Sequence, residues 1–229
     1  MLKKKNKKSY IHFAIIPARK GSIGFKNKNS IFFDYLANFI KSKNFFSKII
    51  VSTNDYKVLK KAKNHKFEIH KRNSRFSGSR TSIKSTLINI INEKKLLKIS
   101  NLVIWLFYIP IVYRENKNLF IAKKIIEKKN TKSLCSMIKV NNHPFSCWFI
   151  KKGKIFQYIK NDIFRRQDLP LAYSHYHYIC CFKVKEIFNL NSELLNKNTV
   201  PFILKDSLSS KLIEIDTKND FIKFKNRNK

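Results

Sequence analysis

Acid is what this chain has least of: 14 Asp and Glu stand against 49 Lys and Arg in 229 residues, a formal charge of +35. Such a surplus points first to nucleic acid or an anionic membrane, because summed fields of one sign attract polyanions. The basic residues, however, are spread through every segment without forming a stripe, and the accompanying wealth of Lys, Asn, Ile and Phe follows A/T-rich coding, so a nucleic-acid role is disfavoured. Long apolar runs are missing too. None approaches the ~20 residues of a membrane span, and Ile11–Pro17, after five lysines in Met1–Tyr10, is too short for the core of a secretory signal. No membrane partner and a cytoplasmic location are expected. The four cysteines, Cys135, Cys147, Cys180 and Cys181, show no Cys-x-x-Cys spacing, which excludes the common zinc and redox motifs. Adjacent Cys180 and Cys181 on a strand would face opposite ways, as small core residues.

Glycine is equally scarce, yet two of the four, Gly21 and Gly24, fall in one loop. The stretch is Ala14-Ile-Ile-Pro-Ala-Arg-Lys-Gly-Ser-Ile-Gly-Phe-Lys-Asn-Lys-Asn29, a short apolar strand running into a loop with a serine and four cationic side chains. Glycine permits positive φ and close backbone approach, while bare N–H groups and Arg19, Lys20, Lys26 and Lys28 supply donors and charge. This is a loop for phosphate. Its spacing is neither that of a P-loop nor Gly-x-Gly-x-x-Gly.

Strand-like runs recur at Ile11–Pro17, Lys48–Thr53, Phe67–His70, Leu102–Tyr108, Ser133–Val140, Trp148–Ile150, Tyr178–Val184, Val200–Leu204 and Leu212–Ile215. Helical periods fill Phe33–Lys43, Tyr56–Asn64, Thr81–Lys95 and Asn118–Lys129, as in Ile83, Leu87, Ile90 and Ile91. This alternation predicts an α/β fold with a mainly parallel sheet covered by helices, and a small antiparallel excursion in the strand-rich second half. A hydrophobic fraction of 43% suffices for one core, so a basic tail over 1–10 and a single domain over 11–229 are expected. Ligands in such sheets gather at the carboxyl ends of strands, where the Arg19–Asn29 loop begins.

That loop resembles the Pro-Ala-Arg-Gly-Gly-Ser-Lys-Gly-x-x-x-Lys-Asn signature of the acylneuraminate cytidylyltransferases, with Lys20 and Ile23 replacing a Gly and a Lys. Further segments continue the resemblance in order: Val51-Ser-Thr-Asn-Asp55, His70-Lys-Arg-Asn-Ser-Arg-Phe-Ser77, Val140-Asn-Asn-His-Pro144, Arg165-Arg-Gln-Asp-Leu-Pro170, Val200-Pro201 and Glu214-Ile-Asp-Thr217. The resemblance implies a Rossmann-like nucleotidyltransferase fold, a homodimer, CTP and a nine-carbon 2-keto sugar acid as substrates, and Mg²⁺. It also implies roles: Arg19, Gly21, Ser22, Lys28 and Asn29 on the CTP, Arg72 near the cytidine, Ser82 as a hydroxyl there or simply a helix cap, and Arg166 and Gln167 on the sugar acid. Arg165 is the neighbouring alternative, and Tyr173 either packs on the sugar or edges the core.

The chemistry sets its own demands. A sugar hydroxyl must attack the α-phosphorus of a nucleotide while pyrophosphate departs, and both reactants are anions, so fixed positive charge and close positioning carry most of the work. Arg19 and Lys28 meet the first demand. Glu214 and Asp216, spaced to share one face of an expected strand, offer two hard oxygens of the kind Mg²⁺ takes together with substrate phosphates. The family has Asp-x-Asp there, and Arg19, Lys28 and Asp216 are the expected catalytic residues. His175 and His177 could share a strand face for a metal, but no third ligand stands nearby in sequence.

The pattern also breaks. Tyr108-Ile-Pro-Ile-Val-Tyr-Arg114 stands where the family has Gln-Pro-Thr-Ser-Pro-Leu-Arg, Tyr176-His177-Tyr178 where Asn-Gly-Ala is usual, and Ser79 where an Asp is expected. Two rivals follow: CMP-Kdo synthetase, whose loop resembles Pro-Ala-Arg-x-x-Ser-x-Arg-Leu-Pro-Gly-Lys and so lacks Lys28-Asn29, and a non-catalytic basic protein on a decayed scaffold.

Overall fold

The computed structural model describes residues 9–21 and 24–227. Its strands are β1 (Ile11–Ala18), β2 (Phe46–Thr53), β3 (Glu68–Lys71), β4 (Leu102–Leu106), β5 (Ser133–Lys139), β6 (Trp148–Lys151), β7 (Lys154–Gln157), β8 (Tyr173–Lys183) and β9 (Val200–Ile203). The helices are α1 (Lys28–Lys41), α2 (Tyr56–Asn64), α3 (Ile83–Glu93), α4 (Asn116–Ile126), α5 (Asp206–Ser209) and α6 (Lys218–Arg227). Seven strands form one sheet in the order β3-β2-β1-β4-β8-β5-β9, and β6 and β7 pair in a separate hairpin. Only β8 runs against the rest: it is antiparallel to β4 and β5, while β2, β3 and β4 follow β1 and β9 follows β5. The mainly parallel α/β sheet with an antiparallel excursion is what the alternation predicts.

Both faces of this sheet are covered, and the strands show it by period two. Ala14, Ile16 and Ala18 of β1, with Val103 and Trp105 of β4, pack into a cluster with α1, α2 and α4. Phe13, Ile15, Leu102, Ile104 and Leu106 point the other way, against Leu87, Ile90 and Ile91 of α3. Each fully buried Ile or Leu of this kind contributes about 1.5–3 kcal/mol relative to exposure. Cys181 lies in the first cluster, Cys180 in the second, and both are buried. Asp55 caps α2, its side chain accepting from the backbone N–H groups of Lys57 and Val58.

Three differences from the sequence reading bear on function. Helix α1 starts at Lys28, not Phe33, because its first turn is built from polar residues whose burial, as for Asn29 and Ser30, no apolar period announces. Strand β8 begins five residues earlier than expected, at Tyr173. The expected strand Leu212–Ile215 reduces to one antiparallel bridge, Ile111 to Glu214, with Ile215 N donating to the Pro110 carbonyl at 3.0 Å. The segment crosses the loop after β4 instead of pairing along it. Among the described residues no helix is long and apolar enough to cross a membrane. Of the expected basic tail, residues 1–8 lie outside the described residues.

Candidate active site

A cleft of about 580 Å³ opens at the carboxyl ends of β1 and β4. Its walls include Arg19, Lys28, Asn29, Arg72, Ser82, Tyr108, Glu193, Glu214 and Asp216. Residues almost 200 positions apart thus share one space. Glu214 and Asp216 both face it, although no strand carries them, because Ile215 between them is fully buried in the core.

The two loop glycines serve this closeness differently. Gly21 adopts φ +83°, the left-handed region, and lines a shallower cavity of about 360 Å³ beside Arg19, Lys26 and Asn29. Gly24 presses against the backbone carbonyl of Asp216, so any side chain there would collide with the acidic segment. Lys28, in the first turn of α1, forms an ion pair with Asp216 that further ties the loop to that segment. The Asn29 amide donates to the Arg19 carbonyl at 3.0 Å and fixes where β1 ends. Ser22 lies outside the described residues.

Arg72 is the most constrained group in the cleft. Only 8% exposed, it has no carboxylate partner among the described residues; its Nε donates to Ser52 Oγ at 3.2 Å, and its Nη2 is buried with no hydrogen-bond partner among them. Burial, with Arg19 nearby, lowers its pKa to about 10, so it remains cationic at neutral pH. Ser52 Oγ, which accepts from Arg72, also hydrogen-bonds His70 Nδ1, 3.0 Å away, and His70 Nε2 in turn lies 3.0 Å from Glu93 Oε2. Burial keeps the His70 pKa below its usual value. A buried cation with an unmet donor suits an acceptor oxygen on the cleft side.

The acids are under opposite tension. Burial and then the Asp216 charge raise the Glu214 pKa, an effect that Lys28 and Arg114 only partly offset. Two hard oxygens pushed together beside cations suit a small divalent ion. Ser82 caps α3, its Oγ accepting from Ser85 N at 3.1 Å, and also lines the cleft.

Arg166, Gln167 and Tyr173 are not brought into this cleft. Arg166 and Gln167 line a separate cavity of about 430 Å³ with Lys139, Asn141 and His143. Tyr173 opens β8 opposite Lys139. Arg165 is occupied by Asp168, at 2.7 and 3.0 Å. The physical reason is strand order: this cavity sits at the β5–β8 end of the same carboxyl edge, while the cleft sits at β1–β4. Sequence reasoning missed Arg114 as a brace. Its guanidinium donates to the carbonyls of Tyr178 and Tyr108, at 2.6 and 3.1 Å, and holds the divergent loop to β8. It also missed Glu193 on the cleft wall, for which the sequence holds no signal.

The sequence matches no protein-family profile and no curated protein. Solved structures do match. A CMP:2-keto-3-deoxy-manno-octonic acid synthetase complexed with CTP superposes with a TM-score of 0.65 at 12% identity, over 93% of this chain and 96% of its own. The 2-C-methyl-D-erythritol 4-phosphate cytidylyltransferase of Francisella tularensis gives 0.58 at 12%, over 94% and 98%. A cytidylyltransferase of Leptospira borgpetersenii gives 0.56 at 12%, over 93% and 84%. The chain has the fold of the cytidylyltransferases. At such identities the likeness concerns the fold, and activity has to be argued from the site.

Proposed function

We propose that the protein transfers CMP from CTP to a 2-keto sugar acid with release of pyrophosphate. The observation that carries this reading is the meeting of Arg19, Lys28 and unpaired Arg72 with the Glu214–Asp216 pair in one cleft at the carboxyl edge of a cytidylyltransferase fold. Arg19 and Lys28 hold the triphosphate oxygens and offset the charge gathering on the leaving pyrophosphate. Gly21 keeps the loop backbone open to the phosphates, and Asn29 sets the loop's course through the Arg19 carbonyl. The buried donors of Arg72 meet acceptor oxygens of the nucleotide, with Ser82 beside them on the wall. The sugar hydroxyl then bonds to the α-phosphorus as the bond to pyrophosphate breaks. Glu214 and Asp216 would hold Mg²⁺, which would supply positive charge to offset that of the phosphates. Lys28, paired with Asp216, stands beside that site.

A nine-carbon acid is the preferred acceptor because Lys28-Asn29 follows the acylneuraminate pattern. An eight-carbon acid is the second reading, favoured by the likeness to the octonic acid synthetase. The chain acts as a homodimer in this proposal. Trp148, Ile150, Ile155, Phe156 and Tyr158 of the β6–β7 excursion are exposed, and Phe164 is 92% exposed, an apolar surface that a second copy would cover. Arg166 and Gln167 border that excursion, so a role for them at the sugar requires their cavity to meet a cleft, either across such an interface or on closure.

Pyrophosphate release from CTP and Mg²⁺, measured with nine- and eight-carbon 2-keto acids, tests the proposal. Turnover that depends on one of these acids and is lost in Lys28→Ala is expected. Release with no acid, or RNA binding that CTP leaves unchanged, would overturn it.

A further inference from the structure

We infer that His175, His177 and Glu193 form a binding site for a divalent transition-metal ion, separate from the Glu214–Asp216 pair. His175 and His177 stand two apart on β8, and Glu193 comes from the loop that follows. A ligand atom from each lies within 4.8 Å of the other two. His175 Nε2 is 3.2 Å from Glu193 Oε2, and His177 Nε2 donates to the Glu193 carbonyl oxygen at 3.2 Å, so an ion takes His177 through Nδ1 or displaces this bond. A tetrahedral ion with bonds of about 2.0–2.1 Å separates its ligands by roughly 3.4 Å, so closure takes about an ångström of side-chain adjustment. Two imidazoles and one carboxylate on one side leave a fourth position open, the pattern of reactive rather than purely structural sites.

The backbone is shaped to make this cluster. Between the pairs Cys135–Cys180 and Met137–His175, β8 bulges, and the Ser136 hydroxyl fills the gap by accepting from Ile179 N at 2.9 Å and bonding the Tyr176 carbonyl. Bulges re-aim side chains, and this one turns His177 toward Glu193. The rings of His175 and His177 meet edge to face with centroids 5.1 Å apart, and Tyr108 packs on the far side of His177 at 5.3 Å. Asn191 Oδ1 accepts from Glu193 N and Leu195 N, at 3.0 and 2.9 Å, and holds the loop in place.

Position and charge sharpen the inference. Because β8 runs against its neighbours, its first half lies at the carboxyl edge, between the nucleotide cleft and the Arg166 cavity, and Glu193 itself lines the cleft. An ion there would present its open position between the two, to an anionic oxygen donor. Imidazole and carboxylate together favour Zn²⁺ or its neighbours over Mg²⁺. A chain of formal charge +35 repels stray cations, so an ion that binds has a built site. Cys135 and Cys180 also approach His177. Both thiols are buried in the core, and the Cys135 hydrogen bond, with burial, raises the Cys180 pKa, which opposes the thiolate that a soft ion needs.

The test uses the full-length, tag-free chain, stripped of metal and held in saturating Mg²⁺ so that hard-oxygen sites are filled, and titrates it with Co²⁺. One equivalent should bind with the visible bands of four- or five-coordinate Co²⁺ and no thiolate charge-transfer band, and Zn²⁺ should displace it. His175→Ala and Glu193→Gln should each weaken binding beyond the roughly 10–100-fold typical of outer-shell partners. Both side chains are solvent-facing, and thermal unfolding of the metal-free variants checks that they fold. Absence of binding, binding indifferent to both variants, or a thiolate band abolished by Cys135→Ser would overturn the assignment. CTP binding, measured in the same samples, is expected to survive His175→Ala, which lies outside the cleft wall, so failure here and failure of the cytidylyltransferase reading can be told apart.

Discussion

Two neighbouring regions of the sheet's carboxyl edge are built on opposite terms. At β1–β4 the charged groups are drawn inward: Arg72 is buried, Lys28 is only 15% exposed, and three distant stretches lock together through Gly24, Asn29 and the Lys28–Asp216 pair. At β5–β8 the apolar groups are turned outward, and the excursion is tied largely to itself, by the Phe149–Phe156 ring pair and by Asn161 donating to the Phe145 carbonyl at 2.9 Å. Buried charge without a partner calls for a ligand, and exposed apolar surface without a cover calls for a protein. The proposed function accordingly assigns the first region to a small anion and the second to a second copy of the chain.

The largest effect that would break this contrast is at the cleft. Lys28→Ala should lower kcat/KM for CTP by about 10²–10³-fold, the usual loss for one preorganised donor at a developing charge. Stability should hardly change, because ion pairs as open as Lys28–Asp216, whose acid is 56% exposed, contribute little. Asp216→Asn should give a similar loss with a raised Mg²⁺ requirement, read from initial rates against metal concentration. At the other end, Trp148→Asp should weaken self-association by at least about thirtyfold, the value of an interface anchor worth about 2 kcal/mol. Sedimentation velocity over a concentration series would register it. A wild-type chain that stays monomeric at every concentration would remove the comparison's second half.

Much of the cleft end was legible because its parts are local in sequence. Strand β1, the glycines and Lys28-Asn29 lie within 19 residues, and the period-two and period-3.6 patterns of β1, α2 and α3 were strong enough to place them. What escaped was whatever depends on contact between distant stretches. The start of α1 was hidden because Asn29 and Ser30 are polar yet buried, and α6 because its apolar residues, Phe221 among them, gain meaning only against Phe25 and Phe32. Glu193 was invisible for the same reason. The Arg166 and Gln167 segment could be read as a motif, but strand order, which decides what it lies beside, is not written in any local window.

A smaller effect isolates how the cleft holds its buried cation. Ser52→Ala removes the acceptor that orients Arg72 Nε and the hydroxyl that bonds His70 Nδ1, a loss of two hydrogen bonds worth about 0.5–1.5 kcal/mol each. KM for CTP should rise up to about tenfold with kcat nearly unchanged if Arg72 binds the nucleotide equally in ground and transition states. An equal fall in kcat would move Arg72 to the reacting phosphates instead.

The smallest effect carries a sign that separates ligand-holding from fold-holding. Glu214 has its pKa raised above the ordinary 4.5, first by burial and then by Asp216. Below about pH 4 the carboxyl is protonated in folded and unfolded chains alike and contributes nothing to the difference. As pH rises past the unfolded value, the unfolded chain releases its proton first, the folded state binds more protons, and stability falls until the folded carboxyl ionises as well. Glu214→Gln should therefore be more stable than the wild type at pH 7, by about 0.5 kcal/mol or 1–2 °C, and equal to it near pH 4. If Glu214 and Asp216 hold Mg²⁺ as proposed, the ion should reverse the order, because it would reward the ionised form. Added Mg²⁺ should raise the wild-type melting temperature and leave that of Glu214→Gln nearly unmoved. If the variant gains as much as the wild type, Glu214 is no ligand, and its raised pKa reflects burial alone.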